Sequence, residues 1–365
     1  MTTRMAPLAR IVTYNVLTPR YCNAQAFPAC DPAVLEPRAR LDSILQQLQP
    51  FVADKSIICL QEVGDDWFGA MHAFFAQNGY SLALYNYKPV MGVGIAWPHE
   101  TFAMSDMQCL RVGEYLAPRA PEPEEREALA RAVQEARRGQ QKEREAAEQA
   151  KVAQKDESLL GGLFSLFGAG QEQSEAVSAS KASSMDPEAV PAEGLSTLAD
   201  VDDSESMSLD VEYEQLITAA QRKNCLILGR FTVAADPDQE LVVATYHMPC
   251  AFRYPKIMGA HAATVGQLVQ KWAQDVPYVL AGDFNFQPDS DCYHLLTTEP
   301  DHTNMATTPD NKFCGTLDYI FLAPKLGASA ASVIPHRENV QDGPYPNARE
   351  PSDHLLIWAD VHVAN

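Results

Sequence analysis

Apolar residues recur along this chain in two patterned stretches, separated by a long polar one. Arg10-Ile11-Val12-Thr13-Tyr14-Asn15-Val16-Leu17 is a short, nearly continuous apolar run, as expected of a strand covered on both faces. Residues 38–48 place Leu41, Ile44, Leu45 and Leu48 at helical spacing. Residues 56–60 predict a second core strand running into Gln61-Glu62-Val63, residues 66–78 a helix, and residues 81–85 and 90–97 two more strands. Beyond the polar stretch, residues 225–233 and 240–247 predict strands, with the turn residues Asp236-Pro237-Asp238 between them. Residues 258–275 predict a helix, and residues 278–281, 317–322 and 355–363 the remaining strands. Strands interleaved with helices predict the α/β class.

The polar stretch changes this picture. Residues 118–153 are rich in Ala, Glu, Arg and Gln with mixed charge, which predicts a solvated helix. Residues 171–210 are rich in Ser, Ala, Glu and Asp with few large apolar residues, a composition that favours disorder. The expected organisation is therefore residues 1–115 as the first half of one domain, 116–213 as an acidic insert, and 214–365 as the second half. The formal net charge of the 365 residues is −20. Residues 116–214 hold 22 acids against 10 bases, a net of −12 that leaves −8 for the rest. An acidic total argues against nonspecific duplex binding through phosphates. Inside the insert, the apolar run Leu159 to Phe167 reads as an incidental cluster, against a docking motif for an unknown protein partner or a membrane-touching wedge.

The eight cysteines form no C-x-x-C pair, which excludes zinc-ribbon chemistry, and several lie in apolar runs as core thiols of a reducing compartment. No stretch is long and apolar enough to span a bilayer. Arg4, Arg10 and Arg20 precede the first acid, but a strand at Arg10 leaves little room for a removable leader. The expected location is the cytoplasm, with the nucleus as the alternative.

Chemistry enters at the strand ends. Strands or their flanks carry Asn15, Glu62, His247, Asp283 with Asn285, Asp318, and Asp353 with His354. Buried strands avoid such residues unless they are paired or bind a ligand. Singly, each has a structural explanation: Glu62 facing water, an Asx turn at Asp283 and Asn285, a turn at Asp353, a satisfied core His247, a cation partner for Asp318. Jointly they describe an oxygen-rich cluster suited to Mg²⁺.

The motifs Thr-Tyr-Asn15-Val-Leu, Cys-Leu-Gln-Glu62-Val, Gly-Asp283-Phe-Asn285, Leu-Asp318-Tyr-Ile-Phe and Pro-Ser-Asp353-His354 resemble the five motifs of the DNase I-like, or endonuclease/exonuclease/phosphatase, superfamily. The segment from Pro28 through Leu35 to Arg40, and Arg222-Lys223-Asn224 before a strand, are similar to its deadenylase, nocturnin and 2′-phosphodiesterase branch. The resemblance spans residues 10–112 and 214–363. It implies a four-layered α/β sandwich: two packed, mainly antiparallel sheets flanked by helices and interrupted by the insert. It implies Mg²⁺, or Mn²⁺, held by Glu62 and Asn15 with Asp353 nearby. It implies Asp283 at the attacking water, Asn285 at the phosphate, His247 and His354 as donors to phosphoryl oxygens, and Asp318 accepting from His354. Phe313 falls where polyadenylate-specific relatives place a stacking ring, and Asn224 joins the substrate-binding set. After His247 the chain reads Met-Pro-Cys-Ala-Phe, where those deadenylases carry Trp and Pro. The implied activity is a 3′-exoribonuclease acting on single-stranded RNA. The alternatives are a phosphatase or phosphodiesterase of small nucleotides, such as NADP(H) or 2′-5′ oligoadenylate, and a pseudoenzyme scaffold acting through the insert.

Overall fold

A computed structural model describes residues 7–88, 90–116, 206–288, 290–297, 315–334 and 343–364. The chain forms two compact units, Met1–Pro118 with Gln215–Asn365, and Arg119–Glu214. Every element below belongs to the first, apart from the opening turns of one helix. The helix expected at 118–153, the run Leu159 to Phe167 and Phe313 lie outside the described residues.

Eleven strands make two sheets among the described residues. In chain order they are β1 (Ala9–Asn15), β2 (Ile57–Gln61), β3 (Tyr80–Lys88), β4 (Met91–Pro98), β5 (Phe102–Arg111), β6 (Cys225–Val233), β7 (Asp236–His247), β8 (Tyr278–Asp283), β9 (Asp318–Leu322), β10 (Leu326–Ala331) and β11 (Ile357–Val363). The helices are α1 (Pro37–Ala53), α2 (Phe68–Gln77), α3 (Ser206–Gln221), α4 (Pro255–Ala273) and α5 (Asp291–Leu296). The first sheet has the order β10-β11-β1-β2-β4-β3 and the second β5-β6-β7-β8-β9. Pairing is antiparallel except at β1/β2 and β7/β8.

The apolar runs follow from this layering. Alternate residues of β1 and β2 serve two cores: Ile11, Ile57 and Cys59 face the second sheet, while Val12, Tyr14, Ile58 and Leu60 pack under α1 and α2. In β7, Leu241 and Val243 fill the inter-sheet core, and Ala244 and Tyr246 pack against α4. A strand covered on both faces has no reason to alternate polar with apolar. Four layers result: helices, sheet, sheet, helix, as the resemblance implies.

Helix α1 starts where Glu36 accepts from the Arg38 and Ala39 amides, with Pro37 in its first turn. It continues through Pro50 to Ala53, five residues beyond the expected end. Sequence reading missed β5 and β10. Strand β5 pairs along β6 but exposes most of its side chains, and β10 is Leu-Gly-Ala-Ser-Ala-Ala, so neither carries an apolar period. The last strand begins at Ile357, two residues after the expected start, and Pro351 to His354 lie in the loop before it. No helix among the described residues is long and apolar enough to cross a membrane.

Candidate active site

Each sheet brings one parallel strand pair to the same end of the sandwich. Parallel neighbours finish side by side, so their last residues are adjacent by register alone. In the first sheet Asn15 pairs with Gln61, one residue before Glu62. In the second, His247 pairs with Asp283, and Asp283 pairs with Asp318 across the antiparallel β8/β9 ladder. Topology thus sets Asp283 between His247 and Asp318 before any side chain is considered.

The two sheets meet through buried amides. Gln61 Nε2 donates to Thr13 Oγ1 and to Thr245 Oγ1, both at 3.0 Å, tying β2 to β7. One layer higher, Asn15 Nδ2 donates to Glu62 Oε1 at 3.1 Å and to Asp283 Oδ2 at 3.0 Å. Glu62 Oε2 accepts from the Thr18 amide at 3.1 Å. The Asn285 amide donates to Asp283 Oδ1 at 2.9 Å, and Asn285 Nδ2 to the Met248 carbonyl at 3.0 Å. Asn224 Nδ2 donates to the His247 carbonyl at 2.9 Å, holding the end of β7 from behind.

Two imidazoles flank Asp283. His247 Nε2 lies 3.4 Å and His354 Nε2 3.6 Å from its Oδ2. His354 Nδ1 is 2.7 Å from Asp318 Oδ2, and because an ionised carboxylate only accepts, Nδ1 carries the hydrogen. Asp318 Oδ1, also buried, has no hydrogen-bond partner.

The backbone is held in uncommon conformations here. Glu62 (φ 59°) and Asn285 (φ 52°) both occupy the left-handed region, which for Glu is a strained position. A Cβ on Gly282 would lie 1.9 Å from the Tyr246 carbonyl oxygen, so glycine is needed where β8 runs against β7 before Asp283.

Burial sets the electrostatics. Glu62 is partly accessible at the rim, yet desolvation and the charge of Asp353 push its carboxyl up to about 7. Burial likewise raises Asp283 and Asp318; His354 opposes this at both, and the Asp318 charge adds to it at Asp283. Burial opposes the cationic form of His354, but Asp318, Asp283 and Asp353 outweigh it and hold the ring protonated well above its ordinary range.

Of the residues expected from the sequence, Asn15, Glu62, His247, Asp283, Asn285, Asp318, Asp353 and His354 come together, and Asn224 supports the group from outside. Two metal readings are open to this cluster. Asp283, Asp318 and His354 offer ligand atoms within 4.8 Å of one another. However, the Nδ1 of His354 is already committed to Asp318, so these three are better described as a hydrogen-bonded relay. Glu62 with Asp353 is the second: the Asp353 charge adds to burial in raising the Glu62 carboxyl, and a hard divalent cation would relieve that. Arg40, fully buried beside these loops, is a member of the site's surroundings that the sequence did not single out for a role.

Residues 240–354 match the Endonuclease/Exonuclease/phosphatase family. Protein angel of Drosophila melanogaster is 28% identical over 174 residues, 40% of this chain and 49% of its own length. Nocturnin of Xenopus laevis is 30% identical over 104 residues, 23% of this chain and 27% of its own length. The chain therefore spans about half, or less, of the curated relatives it matches. Among solved structures, ANGEL2, described as a 2′,3′-cyclic phosphatase, aligns with a TM-score of 0.61 at 15% identity, covering 97% of this chain and 94% of its own. The catalytic domain of human nocturnin with bound sulfate aligns with a TM-score of 0.55 at 15% identity, covering 100% and 96%. At such identity the likeness shows the fold.

The two-sheet sandwich gathers carboxylates, amides and imidazoles at one end of its parallel strands. Over residues 240–354 the chain is similar to the Endonuclease/Exonuclease/phosphatase family, and the curated proteins it resembles are angel and nocturnin.

Proposed function

We propose that this chain is a divalent-metal-dependent phosphodiesterase that removes nucleotides from the 3′ end of RNA. The observation that carries the reading is the environment of Asp283: one buried carboxylate held by Asn15 and flanked by two ring nitrogens at 3.4 and 3.6 Å. Asp283 orients the attacking water and takes its proton. His354, kept cationic by Asp318, donates to the phosphoryl oxygens as charge builds, and His247 does the same from the other side. Asn285 positions the phosphate. Glu62, with Asn15 and Asp353, would hold Mg²⁺, or Mn²⁺ in its place. The cation, when bound, supplies the Lewis acidity that offsets charge on the phosphoryl and leaving oxygens. Asn224 holds the end of β7 behind His247, and Phe313 is carried from the resemblance as a base-stacking ring. Cys22, Cys30, Cys59, Cys109, Cys225 and Cys292 are free thiols, which suits the reducing cytoplasm.

A second reading is a phosphatase or phosphodiesterase of small nucleotides. The acidic balance favours it, because a long polyanion meets repulsion that a mononucleotide largely escapes. The description of ANGEL2 as a 2′,3′-cyclic phosphatase favours it too. Purified protein with Mg²⁺ would be given labelled poly(A), 2′-5′ oligoadenylate, RNA ending in a 2′,3′-cyclic phosphate, and NADP(H). Laddered shortening of poly(A) supports the first reading. Turnover confined to the small or cyclic substrates supports the second. No turnover of any of them with Mg²⁺ or Mn²⁺ rules out both and leaves the scaffold role. Glu62→Ala should abolish turnover while the far-ultraviolet circular dichroism spectrum is unchanged; an active variant would refute the metal assignment.

A further inference from the structure

The candidate site is assembled from two sheets and from a loop, residues 343–354, that belongs to neither. Asp353 and His354 ride on this loop, so something must fix it against the ends of β1 and β2. We propose that Arg40 and Gln47 on α1 are positioning residues that clamp this loop. The proposal rests on the phosphoesterase reading.

Arg40 and Gln47 are seven residues apart, two turns of helix, and so share a face. Arg40 is 1% exposed, an unusual place for a guanidinium. Its Nε donates to the Pro351 carbonyl at 2.6 Å, two residues before Asp353. Its Nη2 donates to the Val16 and Leu17 carbonyls at 2.7 and 2.8 Å, directly after Asn15. One planar fork thus joins the two segments that flank the metal-facing residues. The guanidinium also lies over the Trp67 ring, 5.2 Å from its centroid, which fixes its plane. One turn pair further on, Gln47 Nε2 donates to the Arg349 carbonyl at 2.8 Å and to Glu350 Oε2 at 3.0 Å. Gln47 is itself oriented by the Tyr14 hydroxyl, which donates to its Oε1 at 2.9 Å. Inside the loop, Ser352 Oγ donates to the Asn15 carbonyl at 2.7 Å and accepts from the His354 amide at 3.2 Å. The loop therefore has anchors at 349, 350, 351 and 352, and none of them is a candidate catalytic group.

A bland alternative is that Arg40 merely fills space under the loop. Packing alone does not require a fork: an apolar side chain of similar volume would serve, without the cost of burying a cation. The three carbonyls do require one. Lys keeps the charge but concentrates it in one ammonium that cannot reach both segments with planar geometry. Burial lowers the Arg40 guanidinium from its ordinary range, and the charges of Asp353 and Glu62 partly oppose that.

The test uses the full chain and two variants, Arg40→Lys and Gln47→Ala. Hydrogen–deuterium exchange of residues 343–354 reads the clamp without substrate or metal. Steady-state kinetics with Mg²⁺ on labelled poly(A), or on NADP(H) if that is what the wild type turns over, reads its consequence. For Arg40→Lys the loop should exchange roughly tenfold faster, the effect of losing one buried hydrogen bond, while β2 and β8 exchange as in the wild type. kcat should fall about 10²-fold with KM within about threefold, because misplacement by an ångström acts on the transition state more than on binding. Gln47→Ala, at a half-buried position, should shift both readouts in the same direction by less, and it decides the matter if Arg40→Lys does not fold. Unchanged loop exchange overturns the clamp. Faster exchange with unchanged kcat overturns its bearing on the chemistry. A wild type inactive on every phosphoester instead overturns the parent reading, and the exchange data still decide the clamp.

Discussion

His261 offers a quantitative test of how the second sheet is held behind His247. The ring is fully buried on α4. Its Nε2 is 2.9 Å from the Ala219 carbonyl, near the end of α3, and its Nδ1 is 2.6 Å from the Tyr246 hydroxyl, one residue before His247. A carbonyl only accepts, so Nε2 carries the hydrogen, and Nδ1 accepts from Tyr246, whose phenol burial keeps protonated. Both ring nitrogens are satisfied only while the ring is neutral. Desolvation and the nearby Arg222 charge favour that form, the Ala219 bond opposes them, and the balance lowers the ring from 6.5 to about 4. An unfolded chain binds this proton below about 6.5, and the folded protein refuses it until about 4. The stabilisation is therefore complete above pH 6.5 and is lost as the pH falls through that window. At pH 5 the loss is about 2 kcal/mol, from the two pKa values and about 1.4 kcal/mol per unit. Replacing His261 with Gln keeps a donor for Ala219 and an acceptor for Tyr246 but removes the titration. Urea unfolding of both proteins from pH 7.5 to 5 should show the wild type losing about 2 kcal/mol more than His261→Gln over that range. Parallel curves for the two proteins would mean that His261 does not titrate in this window, and the account of a neutral, doubly bonded ring would be wrong.

Asp318→Asn should lower kcat by about 10²-fold or more, because the amide no longer holds His354 cationic or fixes its tautomer; kcat with the circular dichroism spectrum as control checks this. Gly282→Ala should destabilise the protein by about 3 kcal/mol or more, since its methyl meets the Tyr246 carbonyl, and denaturant unfolding measures it. Removing residues 118–205 should leave kcat within about threefold if the insert supplies no catalytic group, a magnitude equivalent to under 1 kcal/mol of barrier; a larger loss assigns it a part in the site.

The chain itself determined a good deal. Continuous apolar runs at β1 and β2 marked buried strands, because burial on two sides leaves no room for alternation. Polar residues closing the expected strands marked the site, because Asn15, Glu62, His247 and Asp283 are costly in a strand end unless they have partners. Strands β5 and β10 were not legible, since backbone pairing holds them in place and their side chains carry no apolar period. Nor was the direction of pairing. Only the fold decided that β1/β2 and β7/β8 are parallel, that Asp283 therefore stands between His247 and Asp318, and that Asn15 reaches across the sheets to it. The role argued for Arg40 was equally out of reach. A single arginine among helix residues looks like a solvated charge, and only contacts with chain segments over three hundred residues apart reveal a buried fork holding the site's loop in place.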